Sequence, residues 1–395
     1  MAHNQLRILH AFQSYLNNAE NWIFRMMNHL PDCENLVAAG EFRKCNFYSP
    51  SVMYLEFPLR PASNFSDRRL AVRVFNRIVR SCKRLYPWYL RKTAGRIDLF
   101  HSHFSYVGWE YANLAQLMGV PHVVSFYGYD YEYLPTMEPV WKARYQSLFG
   151  SASIFICEGA HGAGILTRQG CPPDKIRVVP LGVDVGQIQF VRRSKGEGEL
   201  NMLQVATLTE KKGHIYALEA FIAASGACPN LTLTFVCRDE GRGTGLMQRL
   251  RDRVAAAQVS NRVRFIEYID YGRLHEFMTE FHVFIHPSCY SADRDCEGGA
   301  PIVLLDAQAT GMPVISTRHC DIPSEVIDGK TGFLTEEKNI AGLAEAITRL
   351  YNMPEGEYQA YARNARTHVE TNYDAAKNSR KMKAVYDELV RDPKG

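Results

Sequence analysis

Residues 286–334 contain the side chains best suited to chemistry. A short apolar strand candidate there exits into a polar loop that ends in Glu297–Ala300, and a helix is predicted to begin near Pro301, because proline suits a first helical turn. Glycines at a helix start allow close approach to the backbone, whose free N–H groups and dipole suit a phosphate. Glu297 and Asp306 flank this turn, and their carboxylates are placed to accept hydrogen bonds from sugar hydroxyls.

The elements that must position these residues form two series. Short apolar, β-branched runs alternate with stretches of helical period, which predicts β-α units around mainly parallel sheets. The polar segment 187–199 is typical of a linker, so the domain boundary is placed near residue 190. We therefore predict a first domain at 1–190, a second domain at 191–372, and a last helical segment, 373–395, whose packing site is left open and includes the first domain.

The expected strands all fit buried positions in such sheets. In the first series they are Leu6–Phe12, Leu36–Ala39, Val52–Phe57, Leu99–Phe104, His122–Phe126, Ser153–Cys157 and Ile176–Leu181. In the second they are Met202–Ala206, Leu231–Cys237, Val263–Tyr268, Val283–His286 and Val314–Thr317. Doubly wound sheets bind ligands at the carboxyl ends of their strands, so a cleft between the domains is expected.

Composition excludes several classes of protein. The 395 residues are 46% hydrophobic and 22% charged, which fits a globular chain rather than a disordered or fibrous one. The ten cysteines form no C-x-x-C pair and no zinc-ligand spacing, so reduced cysteines and no metal site are expected. Neither a membrane-spanning stretch nor a signal-peptide pattern is visible, and we expect a cytoplasmic location.

Four segments carry a resemblance to a known family. The stretch from Glu297 resembles E-x7-E followed by A-x-A-x-G-x-P-V, the signature of the family-4 retaining glycosyltransferases of the GT-B fold. The counterparts are Glu297, Asp306, Ala307, Ala309, Gly311, Pro313 and Val314. VATLTEKKGH (205–214), VVPLGVDV (178–185) and the stretch from HSHF to YGYD (101–130) are similar to other segments of the family, the last to members that build bacterial exopolysaccharides.

The resemblance covers nearly the whole chain and implies two Rossmann-like domains facing across a cleft. It implies retaining transfer of a sugar from a nucleotide-diphosphate sugar to a glycan or lipid-linked acceptor, with no cofactor and no metal. Glu297 is implied to contact donor-sugar hydroxyls and Asp306 the ribose hydroxyls. Lys212 is implied to bind the diphosphate, because an ammonium neutralises the leaving group. The backbone groups expected to bind with it belong to Gly298, Gly299 and Ala300.

The first domain supplies the expected acceptor side of the site. His103, Tyr127 and Asp130 lie at or just past the ends of predicted strands, where side chains would line the cleft. Two readings stay open for each of them. Either they contact substrate, or they have structural roles only. In the second case His103 and Tyr127 are buried side chains with hydrogen-bond partners inside the protein, and Asp130 is a turn residue.

Four departures from the family pattern affect the site. Glu297 and the second acid are separated by eight residues rather than seven, and that acid is aspartate. Thr207 stands where the family has a phosphate-binding arginine and cannot supply its charge, so Lys211, Arg238 or Arg294 is an alternative. Tyr127 replaces a histidine and offers a hydroxyl instead. The usual glycine turn after the second strand of the second domain reads CRDEG, which puts base contacts in doubt.

The formal charge of +4 conceals a basic segment. Residues 68–96 contain ten basic residues and no acid. One sector of the predicted helix is occupied by Arg69, Arg73, Arg77, Arg80 and Arg84. The face is either a solvated helix surface or a docking site for anionic lipid aided by Tyr86, Trp88 and Tyr89. We expect a peripheral location at the inner face of the cytoplasmic membrane and, without a nucleic-acid-binding motif, no nucleic-acid partner.

Two alternatives to a transferase remain open. One is a GT-B sugar-nucleotide epimerase, against which chain length and the Glu297 region argue mildly. The other is a catalytically silent GT-B scaffold at the membrane, which Thr207 and Tyr127 keep open. The nucleotide, the sugar and the acceptor are not encoded in residue identity alone.

Overall fold

A computed structural model gives the structure, and it describes residues 5–15, 21–43, 49, 52–56, 86–196, 198–239, 241 and 245–391. The chain divides into two compact units: Met1–Pro180 with Ala376–Gly395, and Leu181–Ala375. The position expected for the boundary, near residue 190, falls inside the second unit. Each unit is built on a parallel sheet, so the predicted α/β class with two doubly wound domains is confirmed.

The sheet of the first unit has seven strands in the order β3-β2-β1-β4-β5-β6-β7. The strands are β1 Leu6–Tyr15, β2 Cys33–Phe42, β3 Met53–Glu56, β4 Leu99–His103, β5 His122–Ser125, β6 Ile154–Cys157 and β7 Ile176–Val178. The described helices are α1 Asn21–Asn28, α2 Tyr86–Ala94, α3 Ser105–Met118, α4 Leu134–Met137, α5 Val140–Ser151, α6 Ala160–Arg168 and the last helix of the chain, Ala375–Arg391. A π-helical turn, Tyr129–Tyr133, precedes α4.

The last helix is fixed to the first unit by buried contacts. Tyr386 Oη lies 2.6 Å from Nδ1 of His101 on β4, and Ser379 Oγ donates to Met26 O at 2.9 Å. Met382, Val385 and Tyr386 join the apolar core that β1 and β2 form with α1. The helix therefore completes the first sheet's core.

The sheet of the second unit has six strands in the order β10-β9-β8-β11-β12-β13. The strands are β8 Leu200–Val205, β9 Leu231–Val236, β10 Val263–Ile266, β11 Val283–His286, β12 Val314–Thr317 and β13 Gly332–Thr335. The described helices are α7 His214–Ala224, α8 Leu246–Ala256, α9 Tyr271–Met278, α10 Ile302–Ala309, α11 Ile322–Glu325, α12 Ile340–Asn352 and α13 Glu355–Asn372; the last helix, Ala375–Arg391, is α14.

Strand β13 was not among the expected strands. It is only four residues long and begins with a glycine, which usually weakens a strand. A Cβ on Gly332 would lie 1.9 Å from the carbonyl oxygen of Val314, so the close approach of β13 to β12 requires glycine here. The glycine that argued against a strand in the sequence is therefore the residue that allows β13 to pair with β12.

The described part of segment 187–199 is packed on the second unit and not a free linker. Arg193 is buried, and its guanidinium donates to Thr310 O at 2.6 Å and to Met278 O at 3.1 Å. Lys195 is also buried, and its Nζ donates to Tyr351 O at 2.7 Å. These cations satisfy carbonyl groups at helix ends, where orphan acceptors need donors. Their polar sequence concealed this role.

The expected basic helix lies outside the described residues, since Arg69, Arg73, Arg77, Arg80 and Arg84 fall within 57–85. The described remainder of that segment begins with α2. Trp88 on α2 is 60% exposed and Tyr89 is 43% exposed, and Lys92 Nζ lies 5.1 Å from the centre of the Trp88 ring. Among the helices of the described ranges, none combines the length and apolar character needed to cross a bilayer.

Candidate functional site

The carboxyl ends of β8 and β11 form the switch point of the second sheet. The chain runs outward from β8 through β9 to β10, and β11 then returns to pair with the other edge of β8. Loops that leave a sheet in opposite directions at such a point open a crevice for ligands. The loop after β8 carries Lys212, and the loop after β11 carries Glu297.

Lys212 and Glu297 form an ion pair in this crevice. Lys212 Nζ donates to Glu297 Oε2 at 2.7 Å, and the two side chains are 17% and 6% exposed. Burial alone would raise the pKa of Glu297, but the Lys212 ammonium, aided by Lys211, outweighs it and lowers the pKa to about 2. Glu297 is therefore a buried anion at neutral pH, bound to a cation.

The second carboxylate oxygen of Glu297 is bonded as well. Ser288 Oγ donates to Glu297 Oε1 at 3.1 Å, and His286 Nδ1 lies 2.9 Å from the same hydroxyl. Burial, and after it the Lys212 charge, lowers the pKa of His286 to about 3. The neutral imidazole fixes the serine hydroxyl, which in turn orients the carboxylate.

Lys211 locks the two loops together. Its Nζ donates to Asp295 Oδ1 and to Cys296 O, each at 2.9 Å, and its carbonyl accepts from Cys289 N at 2.9 Å. Gly213 has φ +68°, and a Cβ there would lie 2.0 Å from Pro287 O. The close approach of the loops thus depends on glycine. Lys211 is committed to structure, which leaves Lys212 as the cation beside Glu297.

The loop after β12 holds the backbone of the glycine turn. Glu297 N donates to His319 Nε2 at 3.1 Å, so the imidazole proton resides on Nδ1, which donates to Glu337 Oε1 at 2.7 Å. Asp321 N donates to Gly299 O at 3.1 Å, and Gly298 adopts φ +78°, a conformation that favours glycine. The expected turn at Gly298, Gly299 and Ala300 exists and leads into α10. His319 and Glu337 were missed as its supports.

Asp306 lies on α10, but its carboxylate is held by α9. Tyr271 Oη donates to Asp306 Oδ1 at 2.8 Å, and His275 Nε2 lies 2.9 Å from the same oxygen. Asp306 itself is buried. Tyr271 and His275 are four residues apart and share one face of α9, a spacing that the sequence shows. Nothing in that spacing alone indicated which acid they bind.

Thr207 and Arg238 lie side by side at the carboxyl ends of β8 and β9. Leu208 N donates to Arg238 O at 2.9 Å, which joins the two loops. The Arg238 guanidinium is 6.0 Å from the centre of the Tyr268 ring and has no ion pair within the described ranges. Arg294, by contrast, lies over the Tyr290 ring at 4.3 Å. Arg238 thus lies on the loop that is bonded directly to the neighbour of Thr207.

The switch point of the first sheet, between β1 and β4, is filled by histidines. His10 Nδ1 lies 3.1 Å from His103 Nε2, and His10 Nε2 lies 3.1 Å from Asn35 Oδ1. The Asn35 amide donates to Met27 O at 2.9 Å, so its oxygen must accept from His10. The direction of every bond follows: His103 Nε2–H donates to His10 Nδ1, and His103 Nδ1 accepts from Tyr127 Oη at 2.9 Å.

These imidazoles are neutral. Burial lowers the pKa of His10 to about 4 and that of His103 well below its usual value. Within the described residues, the ligand atoms of His10, His101 and His103 lie within 4.8 Å of one another, a spacing that could hold a metal ion. However, both ring nitrogens of each histidine already meet a hydrogen-bond partner, including Tyr386 and Ser125 at His101. The geometry is that of a hydrogen-bond network.

The structure brings His103 and Tyr127 together and places Asp130 behind them. Asp130 is fully buried; Ser105 Oγ donates to its Oδ1 at 2.6 Å and Tyr127 N to its Oδ2 at 3.1 Å. Burial raises the pKa of Asp130 to about 7, against those two bonds. The Tyr127 hydroxyl likewise points inward, to His103. In this structure Asp130 shapes the loop after β5 that carries Tyr127.

Comparison with known proteins gives consistent matches. Residues 6–187 match the family described as Glycosyltransferase Family 4, and residues 187–368 match Glycosyl transferases group 1. The colanic acid biosynthesis glycosyltransferase WcaL of Salmonella typhimurium is 30% identical to this chain. The match covers 73% of this chain and 70% of the length of WcaL. The amylovoran biosynthesis glycosyltransferase AmsK of Erwinia amylovora is 28% identical over 74% and 70%.

Solved structures share the fold over almost the full length. A glycosyltransferase from Rickettsia africae superposes with a TM-score of 0.75 at 15% identity, covering 98% of this chain and 99% of its own. HepE from Anabaena, solved in complex with UDP and glucose, gives a TM-score of 0.72 at 15% identity, covering 98% and 100%. At these identities the likeness concerns the fold.

Proposed function

The chain belongs to the glycosyltransferases of the exopolysaccharide-biosynthesis type with the GT-B fold, and we propose that its second unit binds a nucleotide-diphosphate sugar between Lys212 and Glu297. The observation that carries this assignment is the ion pair at the switch point of the second sheet. A buried anion and a buried cation are costly to maintain, so such pairs are often found where charge is needed for chemistry.

Each member of the pair suits one part of such a donor. The Lys212 ammonium has three donors, so it can bind diphosphate oxygens and offset their charge. Glu297 stays ionised and can only accept, which suits sugar hydroxyls. The backbone N–H groups at Gly298, Gly299 and Ala300, ahead of α10, suit the phosphates. Asp306 would accept from a ribose hydroxyl through its second oxygen, Oδ2, since Oδ1 already accepts from α9.

We propose Arg238 as the residue that replaces the missing charge at Thr207. Its backbone is bonded to the neighbour of Thr207, and its guanidinium is exposed beside Tyr268. A planar guanidinium binds phosphate with two parallel hydrogen bonds, which threonine cannot do. Arg238 would supply the contact from β9 instead of β8.

The proposed reaction retains the configuration of the anomeric carbon and uses neither metal nor other cofactor. The acceptor hydroxyl oxygen forms a bond to the anomeric carbon as the bond from that carbon to the phosphate oxygen breaks. The bonding pair leaves with the nucleoside diphosphate, and the acceptor proton passes to the leaving phosphate oxygen. Lys212 stabilises the charge that develops on this oxygen, which is where such stabilisation lowers a barrier most.

We propose the first unit as the acceptor side, at the inner face of the cytoplasmic membrane. Exposed Trp88 and Tyr89 on α2, with Arg91 and Lys92 behind them, suit an anionic interface, where aromatic rings sit at headgroup level. Binding to vesicles of phosphatidylglycerol should weaken in Trp88→Ala and at high salt. Equal binding to neutral phosphatidylcholine vesicles would contradict the electrostatic part of this assignment.

Calorimetry with UDP-, GDP- and ADP-glucose and the corresponding nucleoside diphosphates tests donor binding. We expect one base to bind and Lys212→Gln to weaken that binding about 10- to 100-fold, as for lost hydrogen bonds to charged groups. Lys211→Gln is the matched control, because its ammonium is bonded to Asp295 and Cys296. It should lower stability and weaken affinity less than Lys212→Gln does, because Lys211 supports the loops and the charge of Glu297 without being placed to bind the diphosphate.

Nucleotide titration, glycan analysis and product analysis together separate the rival functions. A silent scaffold binds no nucleotide, and Glu297→Ala then leaves the cellular glycan unchanged. An epimerase converts its nucleotide sugar to an epimer without any acceptor, which chromatography of the products detects. A transferase instead needs an acceptor for turnover.

A further inference from the structure

A continuous row of aromatic rings crosses the carboxyl edge of the first sheet. We call it the aromatic row; in order, its members are Trp22, Tyr127, Phe104, Tyr106, Tyr129 and Tyr133. Successive ring centres lie 4.5, 4.8, 5.5, 6.3 and 5.2 Å apart. The rings come from the helix after β1 and from the loops and helices after β4 and β5. The row therefore spans the switch point of the first sheet, where ligands of this architecture bind.

The aromatic row lies at the margin of the buried core, where Tyr127 is buried and Trp22, Phe104 and Tyr106 are partly buried against core residues. Core rings of the same unit, such as Phe126 and Phe155, are fully buried. Tyr129 is 38% exposed, and Trp22, Phe104, Tyr106 and Tyr133 are half-buried. Partly exposed aromatic rings that lie side by side at the carboxyl edge of a parallel sheet suit a ligand groove.

The backbone at Phe104 supports a functional reading. Phe104 has φ +75°, a region where glycine is favoured and a bulky residue is strained. Its N–H donates to Ser125 O and its carbonyl accepts from Gly108 N, both at 3.0 Å, which holds the sharp turn from β4 into α3. Strain of this kind persists where the surroundings enforce it, and here it places the Phe104 ring between Tyr127 and Tyr106.

Tyr127, the second member of the aromatic row, is held rigidly by hydrogen bonds. Tyr127 donates to His103, which donates to His10, which donates to Asn35. With its hydroxyl held in this network, Tyr127 contributes a ring of fixed orientation. The histidines at the switch point therefore position an aromatic surface.

We propose that the aromatic row binds the sugar rings of the acceptor glycan by stacking. This inference rests on the proposed function, and it names the part of the acceptor that the first unit recognises. The apolar C–H face of a pyranose matches a flat aromatic ring, and ligand sites are commonly lined by such rings with a few polar groups. Four of the six members are tyrosines. Tyr127 gives its hydroxyl to His103, and the hydroxyls of the other three suit the polar edge of a sugar better than a lipid chain.

The charge around the row also favours a neutral sugar over a lipid phosphate. No member is a cation, and the half-buried carboxylate of Glu132 lies on the same turn as Tyr129 and Tyr133. Carboxylates accept hydrogen bonds from hydroxyls and repel phosphate. The occupant we assign is therefore the saccharide, with the isoprenoid tail of a lipid-linked acceptor as the competing outcome.

The test is a glycan array of neutral and acidic bacterial oligosaccharides probed with the full chain, followed by titration of the best ligand. Tyr129→Leu keeps the bulk and removes the ring, whereas Tyr129→Phe keeps the ring. We expect Tyr129→Leu to weaken glycan binding about fivefold, as for the loss of one aromatic contact, and Tyr129→Phe to bind nearly as wild type. Leu117→Ala, at an exposed site on α3, is the surface control.

Each outcome decides. Wild-type binding to no glycan, or equal binding by Tyr129→Leu and wild type, overturns the proposal. If the wild type binds vesicles that contain a polyprenyl phosphate, and Tyr129→Leu loses this binding while the other variants keep it, the aromatic row binds the lipid. That result also overturns the proposal. Nucleotide titration of the same variants should be unchanged. If the wild type binds no nucleotide, only the proposed donor site is contradicted. A failure of the donor site can therefore be distinguished from a failure of the glycan site.

Discussion

The variant Lys212→Met removes the cation from the buried pair and leaves Glu297 in place. Because the two side chains are only 17% and 6% exposed, the remaining carboxylate has little access to water. Removing one partner of a buried pair generally costs about 3–5 kcal/mol. Lys211 and the Ser288 hydroxyl still face Glu297 in this variant. We therefore expect the free energy of unfolding at pH 7 to decrease by about 3 kcal/mol, the low end of that range.

The pH dependence gives this prediction a sign. In the wild type the pKa of Glu297 is about 2, below its ordinary 4.5, so its contribution to stability is complete above pH 4.5 and lost as the pH falls towards 2. Without Lys212, burial dominates and raises the pKa of Glu297 relative to the wild type. The folded variant then takes up a proton more readily, and its deficit against the wild type shrinks between pH 7 and pH 5.

Urea denaturation of four proteins measures these effects: wild type, Lys212→Met, Glu297→Gln and the double variant. The double variant removes the buried charge along with its partner, so it should be more stable than Lys212→Met. A loss below about 1 kcal/mol in Lys212→Met, typical of an exposed pair, would show that water reaches the Lys212–Glu297 pair. Strictly additive effects of the two substitutions would show that the two side chains are not coupled.

Three further predictions concern other parts of the structure. Burial raises the pKa of Asp130 from 3.8 to about 7, so wild-type stability should fall as the pH rises between these values, by up to about 1.4 kcal/mol per pH unit, and Asp130→Asn should remove that slope in urea titrations at several pH values. Arg193→Met leaves the carbonyls of Thr310 and Met278 without their donor, so the free energy of unfolding should fall by about 3 kcal/mol, as measured by thermal unfolding. An unchanged melting temperature would show that the hydrogen bonds of Arg193 are dispensable. Arg238→Ala should weaken nucleoside diphosphate binding about tenfold in calorimetry at unchanged stability, and unchanged affinity would remove Arg238 from the phosphate site.

The fold could be predicted largely because hydrophobic periodicity carries the β-α alternation. Every expected strand overlaps an observed one, and the parallel order follows from helical connections. Strand β13 was missed because its first residue, Gly332, reads as a breaker until its contact with Val314 is seen. The segment around Arg193 was misread because polarity alone does not distinguish a solvated chain from one whose cations bind buried carbonyls.

The site was predictable where residues are close in sequence and unpredictable where they meet across loops. The turn at 297–301 and the lysine pair are local patterns, and the structure brings Lys212 and Glu297 together. The partners of His319 and Asp306 come from other loops and helices, so no spacing indicated them. Asp130 was left open between a contact in the cleft and a turn residue, and its carboxylate accepts from its own loop and from Ser105, partners that its position after a strand does not indicate.

A crystal structure with the nucleoside diphosphate that binds best would show whether Lys212 and Glu297 hold the donor. We expect Lys212 Nζ to move from Glu297 towards the diphosphate, which should lie against the backbone N–H groups of residues 298–300, with Glu297 facing the space for the sugar. A diphosphate bound elsewhere, with the 2.7 Å pair of Lys212 and Glu297 intact, would show that this pair is not the donor site.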